Sequence, residues 1–372
     1  MRARSFALGT LFVAACGGGK EVVSPVNPIP TATATGTATA DATSAQGPRI
    51  MQIACGDFHT CVRMGDKTVQ CWGRGRGGEL GDGKNEDRAT PAPVPDVKNV
   101  EELALGANFT CVRLSDKTVQ CWGSGRLLGG GKLAERLPPT IVPGVSDLVE
   151  LHAGGYMICG RQSSGAVTCW GLDAKHGTEP KNATQIAVSA AHGCARLTDD
   201  SVRCWGDGVW GAEKGTSFAK PPLVGVKYVA TGDPFACAVL ASGAVSCWGR
   251  NDQSELGTAP DSEDHAKPIV VAGLAAITKL AAAESHACAL TAGGDVHCWG
   301  DNTDGEAGRG TQTTGESVGP VPGLSKVLDL AVGADHVCAR RDADVYCWGA
   351  NKSGQIGDGT KDMRTSPTKV RF

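Results

Sequence analysis

The sequence predicts an all-β protein, a seven-bladed β-propeller closed by pairing of its N- and C-terminal strands. The main observation is the tripeptide Cys-Trp-Gly, which occurs seven times at intervals of 35 to 51 residues, a period typical of propeller blades. Composition agrees with this, because 52 of the 372 residues are glycine and only 5% are aromatic. No segment shows the 3.6-residue periodicity that a helical repeat would need.

The first 15 residues predict an export signal. Two arginines give a positively charged start, and an apolar run up to Ala15 is too short to span a bilayer as a helix. The run ends in Val-Ala-Ala-Cys at residues 13–16, which resembles a bacterial lipobox. We therefore expect residues 1–15 to be a lipoprotein signal peptide and Cys16 to carry the palmitate and other acyl chains of a membrane anchor. The alternative is an ordinary secretory signal with Cys16 incidental.

Residues 16–48 are predicted to be the lipidated cysteine followed by a flexible linker. Their composition is mostly Gly, Ser, Thr, Ala and Pro. Such a segment cannot bury enough apolar surface to offset its ordering entropy. The linker would hold the folded domain, residues 49–372, away from the membrane. The expected location is the cell envelope, at the outer membrane or cell surface.

Each Cys-Trp-Gly follows a second cysteine that lies nine or ten residues earlier. In the second repeat, two β-rich runs flank the polar turn Ser115–Lys117, which predicts a hairpin with Cys111 opposite Cys121. In the last repeat the cysteines are one residue closer and a two-residue turn restores direct pairing. Export to an oxidising compartment makes disulfides feasible. The predicted disulfides are Cys61–Cys71, Cys111–Cys121, Cys159–Cys169, Cys194–Cys204, Cys237–Cys247, Cys288–Cys298 and Cys338–Cys347.

An apolar run precedes each hairpin, and a glycine turn and a short Pro-led strand, such as Pro93-Val94, follow it. This predicts four strands per blade. The domain begins in mid-repeat at Ile50–Ile53 and ends with Pro367–Val370, so we expect these two segments to share one composite blade. Residues 172–184 replace the glycine turn and Pro-led strand of the third repeat, and we expect that blade to lack its outer strand.

The repeat, for example His286–Leu290 followed by Asp295–Asn302, resembles that of the regulator-of-chromosome-condensation family over residues 49–372. The resemblance implies a rigid propeller that binds macromolecules. Family members include a nuclear nucleotide-exchange factor, a plant photoreceptor and secreted bacterial inhibitors of β-lactamase. The exchange factor's partner is intracellular, whereas this chain carries an export signal. The photoreceptor depends on tryptophan clusters, and here only Trp210 lies outside the Cys-Trp-Gly tripeptides.

Several function classes are disfavoured. The formal net charge of −3 gives no basic excess for a nucleic-acid partner. Gly78–Asn85 nearly spells a phosphate-binding loop, but Asn85 stands where Ser or Thr is needed, so no nucleotide is expected. No nucleophile elbow or catalytic set stands out from the repeats, so we expect no enzyme. We expect no metal or cofactor either. Histidines stand two residues before the first cysteine of four repeats, where the others have Phe or Met, and we interpret this as a packing position: His59, His192, His286 and His336.

Irregular residues mark where function departs from the scaffold. Trp210 follows the shortened repeat and is a possible interface residue, because tryptophan is enriched at binding hot spots. Its alternative role is to cover a local gap. Arg74, Arg76 and Arg126 are solvated loop charges or contacts for an acidic partner. Cys55 has no counterpart in other repeats, and is predicted to be an unpaired thiol, either buried or in an intermolecular cross-link.

The predicted function is that of an exported lipoprotein whose propeller binds another protein or an envelope polymer through loops at one end of the blades. The first alternative is an inhibitor of a secreted enzyme, which should show an aromatic-rich loop face. The second is an enzyme with its site in the central channel. That alternative requires clustered acids or histidines at the channel mouth.

Overall fold

A computed structural model of the protein describes residues 49–124, 136–171, 179–206 and 218–372. In these ranges the chain forms seven antiparallel sheets, one for each repeat, and no helix. The predicted all-β class and the seven blades are therefore confirmed. The described ranges also contain no helix that is long and apolar enough to cross a membrane.

The strands of blades one to four are β1 Ile50–Cys55, β2 His59–Met64, β3 Val69–Gly73 and β4 Arg88–Pro93; β5 Val100–Leu105, β6 Phe109–Leu114, β7 Val119–Gly123 and β8 Leu137–Ile141; β9 Leu148–Gly154, β10 Met157–Gln162 and β11 Val167–Gly171; β12 Ala183–Val188, β13 His192–Leu197, β14 Val202–Gly206 and β15 Phe218–Ala219. Those of blades five to seven are β16 Val226–Thr231, β17 Phe235–Leu240, β18 Val245–Gly249 and β19 His265–Val270; β20 Ile277–Ala283, β21 His286–Thr291, β22 Val296–Asn302 and β23 Thr313–Pro320; β24 Asp329–Val332, β25 His336–Arg341, β26 Asp344–Gly349 and β27 Arg364–Lys369.

Strands within a blade pair in chain order. The third blade has three strands in the described ranges, in agreement with the expected loss of its outer strand. The outer strand of blade one begins earlier than predicted, at Arg88, and Pro93 is its last residue rather than its first. Because successive strands are antiparallel, the β1–β2 and β3–β4 connections lie at one end of the blade. We call this end of the propeller the loop face, and the end with the β2–β3 connection the turn face.

The predicted composite blade is wrong. β1 pairs with β2, and β27 pairs with β26, so the two terminal strands belong to different sheets. The error was one of phase: in every repeat the apolar run precedes its own cysteine pair, so Ile50–Cys55 already opens blade one. Blades one and seven meet instead through side chains. The Ile53 N–H donates to Asp329 Oδ2 at 3.1 Å, and Trp72 Nε1 donates to the Gln355 carbonyl at 2.8 Å.

The hydrophobic core lies between neighbouring blades. Trp122 of blade two, for example, is fully buried and packs with Val69, Leu80 and Val94 of blade one. Its Nε1 donates to the Glu79 carbonyl of that blade at 2.7 Å. Burying a side chain of this size contributes several kcal/mol at about 25 cal/mol per Å². The tryptophan of Cys-Trp-Gly is thus an anchor that joins each blade to the one before it.

The seven disulfides each join the second and third strands of a blade at directly opposed positions, with Cα atoms 4.0 to 4.1 Å apart. They are the pairings that the cysteine spacing predicts. In blade seven, Arg341 pairs with Asp344 across a two-residue turn, which keeps Cys338 opposite Cys347 despite the shorter spacing. Disulfides at this density indicate an oxidising extracellular compartment.

Candidate functional site

The innermost strands of all seven blades enclose a central cavity of about 290 Å³. Its wall is formed by β1, β5, β9, β12, β16, β20 and β24. This volume is at the lower end of the range for small-molecule pockets. The two ends of the cavity differ in chemistry, because one carries paired charges and the other carries unpaired acids.

Near the turn face, a ring of polar side chains joins the blades. A β-bulge near the start of the innermost strand turns its third residue toward the next blade, as at Gln52, whose side-chain amide exchanges hydrogen bonds of 3.0 and 3.3 Å with the Leu103 backbone. Four further contacts follow the same plan: Glu102 accepts from the Leu151 N–H, Glu150 from Ile186, Gln185 from Val229 and Asp329 from Ile53. Sequence reasoning missed this ring, although a polar third residue in each apolar run was its signal.

The acids of this ring have counter-charges. Arg113 Nε lies 2.9 Å from Glu102 Oε2, and Arg161 Nε lies 2.6 Å from Glu150 Oε2. Lys279 Nζ lies 2.5 Å from Asp329 Oδ1. The turn-face end of the cavity is therefore neutralised and serves to hold the blades in register.

The loop-face end is acidic. Asp57, Asp233 and Glu284 follow β1, β16 and β20 and line the cavity, and Asp335 follows β24 nearby. Partial burial, then the charges of Asp335 and Asp233, raise the pKa of Asp57 to about 6, against a smaller opposing effect of Arg74. Partial burial and the charges of Asp57, Asp233 and Asp335 raise the pKa of Glu284 to about 7.

Glu284 has an unfavourable backbone conformation. Its φ is 41°, in the left-handed region that a β-carbon disfavours. Gly155 occupies the same place in blade three with a φ of 51°. A glutamate thus stands where another blade has glycine, and its side chain extends the acidic end of the cavity.

The four histidines pack between blades. His59 Nε2 lies 2.8 Å from Thr110 Oγ1, and His336 Nε2 lies 2.9 Å from Thr60 Oγ1, each in the neighbouring blade. Burial lowers the pKa of His59 and His336 to about 3, so their rings are neutral. A β-carbon at Gly333 would lie 2.4 Å from the His336 ring, which explains why glycine precedes the ring. These contacts suit the packing position inferred from the sequence.

Cys55 is the free thiol of the described ranges and lines the cavity at the end of β1. It is half-buried, and burial raises its pKa well above the ordinary value for a thiol. Its sulfur lies within 4.8 Å of a His336 ring nitrogen and of the Cys338 sulfur. Cys338 is already in a disulfide, so this group is not a free set of metal ligands.

Two other predicted site residues, Cys16 and Trp210, lie outside the described residues, as does Arg126. Arg74 is placed at the loop face, with its guanidinium 5.4 Å from the centre of the Phe58 ring. Arg76 reaches Asp87 at 3.1 Å and keeps 75% of its side chain exposed.

The fold and the channel define a disulfide-bonded, seven-bladed propeller assembled from one repeated unit. Two sequence profiles described as "Regulator of chromosome condensation (RCC1) repeat" match the chain, one at residues 50–79, 100–127, 183–209, 226–255, 277–306 and 327–355 and the other at residues 68–113, 242–290, 293–340 and 342–372. The protein belongs to the RCC1 repeat family.

Curated relatives match parts of the chain. The E3 ubiquitin-protein ligase HERC2 of Homo sapiens is 35% identical over 155 residues, which are 38% of this chain and 3% of HERC2. The ultraviolet-B receptor UVR8 of Arabidopsis thaliana is 36% identical over 90 residues, 24% of this chain and 20% of UVR8. The match therefore spans a fifth or less of these relatives, and it concerns the repeats.

Solved structures show the same fold at low identity. Human WBSCR16 has a TM-score of 0.68 at 18% identity and covers 82% of this chain and 94% of its own. Prp20p of Saccharomyces cerevisiae has 0.51 at 22%, covering 87% and 77%. The ectodomain of the Physcomitrella patens receptor kinase CR4 has 0.55 at 20%, covering 81% and 74%.

Proposed function

We propose that this protein is an exported, lipid-anchored envelope protein whose propeller is a non-enzymatic scaffold that binds another protein through its loop face. One observation carries the proposal. The residues that define the repeat, namely the cysteine pair, the tryptophan and the polar bulge, are engaged within or between blades. What differs from blade to blade is the set of loop-face connections, which are the surface left for recognition.

The loop face has a hollow suited to a protein partner. A depression of about 420 Å³ lies between blades one and seven, and its lining includes Phe58, Arg74, Arg76, Asp335 and Lys352. Arginine and aromatic side chains are enriched in protein interfaces, and the exposed Arg76 guanidinium can pair with a partner's carboxylate. We place the contact here, with Trp210 as a further candidate.

Two sets of structural relatives support the proposal. The Prp20p structure is reported with its binding to Gsp1p and histones, and another structure has Kap60 bound to yeast RCC1. The CR4 propeller belongs to a receptor-kinase ectodomain, so this fold also occurs outside the cell. Protein binding and an extracellular setting are thus each known for this fold.

The partner is tested with the full mature chain carrying Cys16→Ala, which stays unlipidated. The chain is cross-linked to proteins of the native envelope, and cross-links are mapped by mass spectrometry. We expect loop-face cross-links and an Arg76→Glu variant that captures at least tenfold less partner. Lys98→Glu, at an exposed turn-face lysine, is the matched control. Cross-links confined to the turn face, or an equal loss in the control, would refute the proposed surface.

The anchor has its own test. Labelled palmitate should be incorporated by the wild-type chain and not by Cys16→Ala. Equal labelling of the two would show that Cys16 is not the lipidation site. This outcome leaves the loop-face proposal standing, because the partner experiment uses unlipidated protein.

The two alternatives fare differently. In the described ranges, the loop-face turns after the innermost strands offer two aromatic residues with exposed surface, Phe58 and Tyr156, so these turns do not form the aromatic-rich face expected of an inhibitor. The channel mouth does have the clustered acids required for an enzyme, and carboxyl groups of raised pKa can act as general acids. Hydrolysis of candidate envelope polymers by the mature chain, lost in Glu284→Gln, would favour that second candidate function.

A further inference from the structure

Three acids at the loop-face end of the channel lack a counter-charge. Asp57, Asp233 and Glu284 line the cavity, and none of them has an ion-pair partner within 4.0 Å in the described part of the chain. Glu102 and Glu150, deeper in the same cavity, are each paired with an arginine. Negative charge without compensation in a partly enclosed space attracts a cation.

A second observation comes from Thr231, the last residue of β16. Its side chain lines the same cavity and is 3% exposed, yet Oγ1 has no hydrogen-bond partner in the described ranges. Leaving a buried hydroxyl unpaired costs about 1–3 kcal/mol. Thr231 lies two residues before Asp233, so an unsatisfied acceptor stands beside the unpaired acids.

The rest of the wall limits where a cation can lie. Lys279, paired with Asp329 toward the turn face, repels a cation from that end. His152 lines the cavity but is neutral, because burial and the charge of Lys279 lower its pKa to about 4. Between the ends, the wall includes the alanines Ala54, Ala104, Ala153, Ala230 and Ala282. This surface suits a short alkyl chain.

A single metal ion does not fit these acids. The described groups of three candidate ligands within 4.8 Å of one another are Cys55 with His336 and Cys338, and Asp304 with Glu306 and Asp335. Asp57, Asp233 and Glu284 do not form such a group. Metal ligands must converge to about 2.0–2.6 Å from one ion. A primary ammonium instead points three N–H donors in different directions and suits separated acceptors.

We propose that the loop-face end of the central channel is a binding site for a primary alkylammonium group. The ammonium donates to the carboxylates of Asp57, Asp233 and Glu284 and to the Thr231 hydroxyl, and the alkyl chain packs on the alanine wall. The group is carried by a free amine or by a lysine side chain. The site does not depend on the protein partner proposed above.

The test is calorimetric titration of the purified mature chain, with Cys16→Ala, with n-pentylamine at pH 8. We expect saturable binding, and none of 1-pentanol, which has the same chain without the charge. Asp233→Asn and Glu284→Gln should each weaken binding at least tenfold. Asp264→Asn, which removes an exposed acid at the loop face outside the cavity, is the matched control and should change affinity less than twofold.

Thr231→Val separates ligand binding from folding. It keeps the shape of the side chain and removes the unpaired hydroxyl, so it should raise the melting temperature of the free protein while weakening pentylamine binding at least threefold. Unchanged affinity in this variant would remove Thr231 from the site. A lysine-containing peptide and its acetyl-lysine form distinguish the sources: peptide binding that acetylation abolishes assigns the site to lysine side chains, and pentylamine binding alone assigns it to free amines.

Three results would overturn the proposal. These are no pentylamine binding at millimolar concentration, an equal loss of affinity in Asp264→Asn, and displacement of pentylamine by stoichiometric Ca²⁺, which would make the site a metal site. The measurement uses a small amine and pure protein. Its failure is therefore distinct from a failure to capture a partner.

Discussion

Replacing His336 by phenylalanine tests whether the buried histidines are packing residues. The side chain is fully buried against Gly333, and the second blade holds Phe109 at the same place against Gly106. Phenylalanine should therefore fit. The hydrogen bond to Thr60 is lost, but Thr60 Oγ1 still donates to the Gln355 carbonyl at 3.0 Å, so no buried hydroxyl is left without a partner. The loss costs about 1 kcal/mol.

The effect of this substitution should change sign with pH. Burial lowers the pKa of His336 to about 3, whereas an unfolded histidine has a pKa of about 6.5. At pH 7.5 neither state binds a proton, and at pH 5 only the unfolded state does. The histidine therefore lowers the free energy of unfolding by about 2 kcal/mol between pH 7.5 and pH 5. His336→Phe should be less stable than wild type by about 1 kcal/mol at pH 7.5 and more stable by a similar amount at pH 5.

Urea unfolding at the two pH values, with the disulfides intact, measures this difference. Asp57 and Glu284 also titrate in the range, but they are present in both proteins and cancel in the comparison. Phe109→Leu is the matched control, because it changes the same position without a titrating group and should cost the same at both pH values. Equal costs for His336→Phe at pH 7.5 and pH 5 would show that the ring is not held neutral, and the packing interpretation would fail.

Three further predictions concern the scaffold and the channel mouth. Replacing Cys111 and Cys121 together by serine opens a ring of about ten residues and should lower the free energy of unfolding by about 2–3 kcal/mol in urea, with the exposed Ser115→Ala as a neutral control. Gly56→Ala places a β-carbon 2.5 Å from the Gly106 carbonyl and should cost about 1–3 kcal/mol, whereas Gly144→Ala meets nothing within 4 Å and should cost only its left-handed backbone strain. Glu284→Gly relieves strain at φ 41° and removes a crowded carboxylate, so its melting temperature should rise while pentylamine binding falls; a lower melting temperature would contradict this.

The sequence predicts the parts of the fold that depend on local spacing. Cys111 and Cys121 flank a short polar turn, so their pairing follows from hairpin geometry alone. The closure was mispredicted because a Cys-Trp-Gly count fixes the period of the repeats and not their phase. Only the pairing of Ile50–Cys55 with β2 shows that each blade is contiguous in sequence.

The acidic channel mouth was beyond sequence reasoning for a different reason. Asp57, Asp233 and Glu284 come from blades one, five and six and are far apart along the chain. Each alone looks like an ordinary turn residue, since Asp and Asn are common in turns. Only closure of the ring brings them to one cavity. The sequence could supply the condition, clustered acids for a functional channel, but not the residues that meet it.

The channel mouth is also where this protein departs from its own rules. Glu102 and Glu150 show how the chain treats a buried acid: an arginine lies within 2.9 Å, and a backbone N–H of the next blade donates to the carboxylate. Glu284 receives neither, and it stands in a left-handed position where blade three has glycine. A residue that breaks two local rules without a structural gain lowers stability, and selection keeps such residues where function needs them. The scaffold stabilised by seven disulfides can carry that cost, so the acids are better explained by a ligand than by folding.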